Sequence, residues 1–360
     1  MSASTEHGHD DMDAVEDVLT QALNEEIVAG TDRRETVWQR ILASRDMALT
    51  AVGIGLFVFF AVTVPETFLT STSLLNMVRN VSLIGIVAAG MAYLMIAGEI
   101  DLSVGSTLGI LTIVLGVLVS RHGLNVWLAA GIVLALGAVI GAVNGLIVTR
   151  LGIPSFIVTL AMLTGYRSAT LVLSEQRPWS GSGVGTFFDI TGGTIAGRIP
   201  WVIVWMLVVM LLASIVLVRS RYGYHVYATG GNLEASRYSG VATGRVKLLA
   251  FAFTSFLCGL AAILLFGSLR VAEPSAGTGF EFRVIGAVIV GGVALTGGRG
   301  SVYGVFMGTI IIGMITSGLT LLGLSQHYAD VATGILIVGV GAMDLLVRRA
   351  ASRRLGFLDA

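Results

Sequence analysis

The sequence predicts an all-α polytopic membrane protein of about ten transmembrane helices, and three observations carry that prediction. Of the 360 residues 55% are hydrophobic and only 12% charged, with a mean hydropathy of +0.87. A soluble fold needs roughly 25% charged residues to cover its surface, so most of this surface meets lipid. Apolar stretches poor in charge recur ten times. They are continuous, whereas a membrane barrel alternates polar and apolar residues over short strands.

The first 46 residues stand apart from those stretches. Eleven of the 22 carboxylates lie between Glu6 and Asp46, and no basic residue precedes Arg33. Such a segment buries too little apolar surface to offset its ordering entropy, so 1–46 reads as an acidic, largely disordered tail with a short helix near 14–23. It lacks the basic start and adjoining apolar core of a cleavable signal. His7 and His9 beside Asp10 and Asp11 belong to the same unstructured tail.

The predicted transmembrane domain covers 47–347. Its spans are 47–64, 76–97, 103–120, 124–149, 154–173, 200–218, 248–269, 284–296, 302–322 and 328–347. Most approach the roughly 20 residues a helix needs to cross the hydrocarbon, but 284–296 is short and 103–120 marginal. With the amino terminus inside, the inner segments hold fifteen Lys and Arg and the remainder seven. By the positive-inside rule both termini are cytoplasmic, including the tail 348–360. The basic loop 219–247 then lies inside and the loop 174–199 outside.

Gly105-Ser106-Thr107-Leu108-Gly109 opens the third span and Gly300-Ser301-Val302-Tyr303-Gly304 the ninth. Each follows a glycine-interrupted turn, which predicts two weakly related halves. Gly53 and Gly55 in the first span, and Gly137, Gly141 and Gly145 in the fourth, are spaced for close internal helix packing. Asn76, Arg79 and Asn80 share one face of the second span. Arg79 and Arg167 are expected near outer ends or facing the bundle, and Asn144 in a hydrogen bond to a neighbouring helix.

Several functions are excluded. Net charge is zero, which gives no footing for nucleic acid. Cys258 is the sole cysteine, so no internal disulfide or zinc knuckle forms, and the scattered histidines make no metal site or catalytic triad. The one lysine, Lys247, sits outside any phosphate-binding Gly-Lys-Ser/Thr motif. The chain is therefore expected to bind no cofactor and to hydrolyse no ATP itself.

Two constellations carry the functional reading. In Gly98-Glu99-Ile100-Asp101-Leu102-Ser103, Gly98 can end one helix in a left-handed conformation while Asp101 or Ser103 caps the next. The alternative is a broken helix offering acceptors to a polyhydroxyl solute, with Glu99, Asp101, Ser103, Asn76, Asn144, Gly300 and Ser301 as candidates for the path. In the loop 219–247, Gly230-Gly231-Asn232-Leu233-Glu234-Ala235-Ser236 predicts a short helix capped by Asn232, with Gly240 beyond its end.

These stretches resemble permease subunits of bacterial ABC importers for ribose, xylose, arabinose and related sugars. The Glu99 to Ser106 turn is similar to that family's hallmark turn. Asn144-Gly145-Leu146 with Pro154-Ser155-Phe156-Ile157-Val158-Thr159-Leu160 is similar to its mid-chain signature. Gly230 to Gly240 resembles its coupling loop, and Gly291-Gly292 with Gly297 to Gly304 its late glycine-rich turn. The chain departs at Ser236, at Glu281-Phe282-Arg283, and at Ser317 and Thr320. The resemblance implies a type II importer-like permease of the bacterial inner membrane. It also implies a cytoplasmic ATP-binding cassette subunit that holds ATP and Mg, a periplasmic or lipid-anchored sugar-binding protein, and a second permease copy or paralogue. Gly231, Asn232, Glu234, Ala235, Ser236 and Gly240 become the ATPase-coupling residues, with Ala235 and Ser236 small enough for close approach. A branched-chain amino-acid or nucleoside permease, and an ion-coupled transporter using Glu99 or Asp101, are the alternatives.

Overall fold

Polar caps and glycines cut the apolar sequence into helices. Thr70 accepts the Ser73 amide at the start of α3 (Ser71–Ile96), and Asn125 accepts the Trp127 amide at the start of α5 (Val126–Leu151). Pro154 precedes α6 (Ser155–Ser174) and Pro200 precedes α8 (Trp201–Arg219). The computed structural model describes residues 45–181 and 185–355, so the predictions for 1–44 and for 356–360 lie outside the described residues. Contacts divide the chain into 1–48 and 49–360. The described part of the first unit is the opening of α1 (Arg45–Thr63), and the following concerns the second.

After α1 come α2 (Pro65–Phe68), α3, α4 (Val104–Ser120), α5 and α6. The segment 174–200 is more than a loop. It holds α7 (Thr186–Gly192) and the short strands β1 (Trp179–Ser180), β2 (Thr194–Ile195) and β3 (Ile199–Pro200), the last two paired antiparallel. Then follow α8, α9 (Arg221–Gly231), α10 (Leu233–Tyr238), α11 (Thr243–Leu269), β4 (Val271–Ala272), α12 (Phe280–Val290), α13 (Val302–Leu321) and α14 (Gln326–Leu355). The helix α14 continues through 348–355, where a tail was expected.

Seven of these helices are long and apolar enough to cross a membrane: α1, α3, α5, α6, α8, α11 and α13. Apolar side chains face outward on α1, α5, α6 and α8, among them Val62, Val139, Val172 and Val218. They also fill the centre, where α3 is enclosed by its neighbours and Ile86, Val87, Met91, Leu94 and Ile96 have no exposure. A molecule apolar inside and out is a multi-pass membrane protein.

Glycines set the tightest seam, between α5 and α11. An added Cβ at Gly141 would lie 2.2 Å from the Phe251 carbonyl oxygen, and one at Gly137 2.6 Å from that of Ser255. Gly145 meets Leu248 similarly. This is the internal packing expected of that trio. Gly55 has nothing within 4 Å and plays no such part.

The predicted span 284–296 needs correction. Its helix, α12, has 11 residues, about 16 Å at 1.5 Å per residue against about 30 Å of hydrocarbon. The rest of the crossing is not helical. β4 pairs with β1 next to Gly116, where an added Cβ would sit 2.6 Å from that of Ala272. The chain then descends along α4 until the Gly277 carbonyl lies 2.5 Å from a Cβ built on Gly105. Those eleven positions of α4 span about 16 Å. Turn backbone and α12 together make the eighth crossing, so 271–290 is a broken crossing.

Candidate functional site

The basic loop folds as two helices where one was expected. Ser220 accepts the Gly223 amide at the start of α9, and Asn232 accepts the Ala235 amide at 3.0 Å at the start of α10. Gly240, with φ of +82°, lies past the end of α10. Glu234, Ala235, Arg237 and Tyr238 are exposed. Ser236, expected on the outward face, is buried instead and donates to the Ala228 carbonyl at 2.7 Å. It fixes α10 on α9. Arg237 Nε donates to Thr243 Oγ1 at 3.2 Å, tying α10 to the first residue of α11. Residues 232–240 thus form a short, stiff projection.

The root of that projection is glycine. Gly230 touches the ends of two transmembrane hairpins at once: an added Cβ would lie 1.8 Å from the Ile96 carbonyl oxygen and 2.7 Å from the Gly298 amide nitrogen. The Gly298 amide donates to that same Ile96 carbonyl at 2.8 Å. Tyr227 reaches from α9 to donate to the Gly300 carbonyl at 2.8 Å. The turn 97–103, which joins α3 to α4, and the turn 291–301, which joins α12 to α13, therefore meet on one face of α9. Ser301 serves the second turn as a cap, accepting the Gly304 amide at 2.9 Å.

Gly98 ends α3 in the left-handed conformation expected, with φ of +85°, and the Glu99 amide closes the turn on the Leu94 carbonyl. Glu99 Oε1 then accepts Lys247 Nζ at 2.5 Å, and the two side chains are 12% and 15% exposed. The lysine is the fifth residue of α11 and stands in its first turns. Inside the turn, Asp101 Oδ1 accepts both the amide and the hydroxyl of Ser103, at 2.7 and 2.6 Å. Asn144 Nδ2 donates to Ser103 Oγ at 3.1 Å, and the Tyr166 hydroxyl donates to Asn144 Oδ1 at 2.9 Å. The turn is thus pinned to α5 and α6.

Asp101, Ser103 and Asn144 have no exposure. Asp101 Oδ1, Ser103 and Asn144 bond to one another as capping and helix packing require, while Asp101 Oδ2 is buried without a hydrogen-bond partner. Asn76, on the exposed face of α3 twenty residues before the end of that helix, is apart from this cluster. Gly231 also differs from expectation: it is exposed with nothing within 4 Å of its Cβ position, and the close approach belongs to Gly230. Lys247, Tyr227, Gly297 and Gly298 were not singled out as site residues by sequence. A signal existed for Lys247, since it is the single lysine among 22 Lys and Arg residues and closes the basic loop 219–247.

Burial beside Tyr93 raises the pKa of the Tyr222 phenol in α9, which keeps it a donor to the Val246 carbonyl. No group of three or more metal-ligating side chains exists among the described residues. The junction offers a mechanical connection.

Residues 73–341 match the family described as branched-chain amino acid transport system / permease component. The ribose import permease protein RbsC of Escherichia coli (strain K12) is 36% identical over 290 residues, covering 79% of this chain and 90% of that one. The ribose import permease protein RbsC of Bacillus subtilis (strain 168) is 35% identical over 317 residues, 87% and 98% of the two chains. The L-arabinose ABC transporter permease protein AraH of Azospirillum brasilense is 33% identical over 323 residues, 87% and 91%. No solved structure matches.

Proposed function

The chain belongs to the branched-chain amino acid transport system / permease component family, and from that premise we propose that it is the membrane-spanning subunit of an ATP-driven importer for a monosaccharide of the pentose type. The sugar class rests on relatives named for ribose and L-arabinose. Both termini and the α9–α10 projection lie in the cytoplasm of a bacterial inner membrane, in keeping with the basic residues concentrated there. A separate cytoplasmic subunit binds ATP and Mg and grips α10 through Asn232, Glu234, Ala235 and Arg237. A sugar-binding protein delivers solute at the opposite face, and a second copy or paralogue completes the path.

One observation carries this reading. The exposed α10 is fixed to α9, and α9 is wedged by Gly230 between the ends of two hairpins that cross the bundle. Closure of the ATPases would push α10, and with no slack at Gly230 both turns would move with it. A variant at Glu234 tests the assignment. Glu234→Trp, placed on an exposed surface, should leave membrane insertion intact but lower solute moved per ATP hydrolysed in proteoliposomes containing permease, ATPase and binding protein. Unchanged stoichiometry would remove α10 from the ATPase interface. Gradient-driven uptake by the permease alone would favour ion coupling at Glu99 instead.

A further inference from the structure

Of the residues expected on the path, Asp101, Ser103 and Asn144 are buried at the junction, whereas Asn76 is exposed on α3. Polar groups collect at the opposite part of the bundle. Asn76, Arg79 and Asn80 are all exposed on α3, five to nine residues after its first residue, Ser71. At 1.5 Å per residue Asn80 lies about 13 Å along a helix of about 39 Å, which places it below the headgroups. An arginine and two amides on one lipid-facing stripe would cost several kcal/mol. That stripe faces water or protein.

A pocket of about 340 Å³ opens from it. The polar wall is Asn80, Glu273, Ser275, Thr278 and Arg283, and Phe280 with aliphatic side chains of α3, α4 and α11 makes the other wall. The polar wall comes mainly from 273–283, the non-helical half of the eighth crossing and the first turn of α12. Irregular backbone at membrane depth occurs where it lines a cavity, and here it is held firmly. Arg167 Nη1 donates to the Ala276 carbonyl at 3.2 Å, and Thr278 Oγ1 to the Ser275 carbonyl at 2.8 Å. Gly105 and Gly109 leave room for the Gly277 and Ala276 carbonyls, which would lie 2.5 and 2.7 Å from added Cβ atoms.

We propose that this pocket is a solute station in the translocation path, shaped for one neutral polyhydroxyl molecule, with Asn80 and Arg283 as its specificity-determining residues. The proposal rests on the importer reading above and goes beyond it by placing the sugar. An amide, two hydroxyls, a carboxylate and a guanidinium supply donors and acceptors for a ring of hydroxyls. Phe280 and the aliphatic wall suit the C–H face of the same ring. One carboxylate and one guanidinium leave the wall without net charge, which disfavours an ionic solute. The volume lies near the small end of the roughly 300–1,000 Å³ typical of ligand pockets, enough for a single monosaccharide.

The chain's own cysteine makes the test clean, because Cys258 is fully buried. Ser275→Cys and Thr278→Cys place a thiol on the polar wall, and Glu175→Cys, in the segment after α6, serves as a control. Each is assembled with the ATPase and binding protein in proteoliposomes. Labelling by a small charged thiol reagent is timed with and without D-ribose, L-arabinose or D-fructose during turnover. The transported sugar should slow labelling at 275 or 278 at least fivefold and leave 175 unchanged. Asn80→Ala and Arg283→Leu should each lower maximal uptake about tenfold while ATP hydrolysis stimulated by loaded binding protein persists. If the parent complex imports a sugar but neither thiol is protected and both wall variants import normally, the pocket is not on the path. If the parent complex imports none of the three sugars, the importer reading itself fails.

Discussion

The Gly230 contact yields a prediction whose sign separates two accounts of the junction. Gly230 lies in the last turn of a helix, where alanine in place of glycine ordinarily stabilises by about 1 kcal/mol. Here the new methyl would lie 1.8 Å from the Ile96 carbonyl oxygen and 2.7 Å from the Gly298 nitrogen. Both neighbours are backbone and cannot rotate away. Overpacking of this kind costs about 1–3 kcal/mol, and parting Ile96 from Gly298 adds about 1 kcal/mol for the lost hydrogen bond. The net for Gly230→Ala is a destabilisation of about 1–3 kcal/mol, or a displaced α9 that relieves the clash. Gly231→Ala, with open space around it, should be neutral or slightly stabilising. Thermal unfolding in detergent reads the first effect, and sugar moved per ATP reads the second. A Gly230→Ala protein as stable and as tightly coupled as Gly231→Ala would show that α9 does not bear on the two turns.

The Lys247–Glu99 pair is mostly enclosed, so removing one partner leaves a poorly solvated charge. Lys247→Met and Glu99→Gln should each destabilise by about 1–3 kcal/mol, less than the 3–5 of a fully buried pair because both side chains retain some exposure. The double variant should cost less than the sum, and additive losses in a double-mutant cycle would mean the ions do not interact. Gly141→Ala drives a methyl to 2.2 Å from the Phe251 carbonyl oxygen and should lower stability by about 2 kcal/mol or more. Gly55→Ala should not, and equal effects at the two positions would argue against the α5–α11 seam. Tyr166→Phe removes the donor to Asn144 and should cost about 1 kcal/mol, visible as a lower unfolding midpoint with membrane insertion unchanged.

Hydropathy made the crossings legible because a lipid-facing helix must be apolar along its whole length, and every predicted span except 284–296 coincides with a helix. Caps were legible for the same reason of local chemistry: Asn232, Gly98 and Gly240 act within a few residues of themselves. The eighth crossing was not legible. Its first half, 271–279, is polar and glycine-rich because it is shielded by α4 and α6, and a window average reads such a stretch as an outer loop. The partners of the Glu99 turn were not legible for a related reason. Glu99, Asp101 and Asn144 are unusual in an apolar sequence, yet their partners, Lys247, Ser103 and Tyr166, stand up to 148 residues away. Until Lys247 is in place, the carboxylate of Glu99 looks like one awaiting a ligand.

Pocket and junction are joined by two short rods. Asn80 and Ile84 of α3 line the pocket, and Ile96 of the same helix meets Gly230. Phe280 and Arg283 of α12 line the pocket, and the turn leaving that helix brings Gly298 to the same glycine. From Ile84 to Ile96 α3 runs about 18 Å, and from Arg283 to its end at Val290 α12 runs about 10 Å, both stiff enough to carry a displacement. Adjacency alone does not establish coupling, so the connection needs its own measurement. Combined with Ser275→Cys, the Gly230→Ala change should flatten the difference in thiol labelling between ATP-bound and nucleotide-free complexes, although it sits at the far end of both helices. An undiminished difference would mean that the pocket responds to nucleotide by a route that bypasses α9.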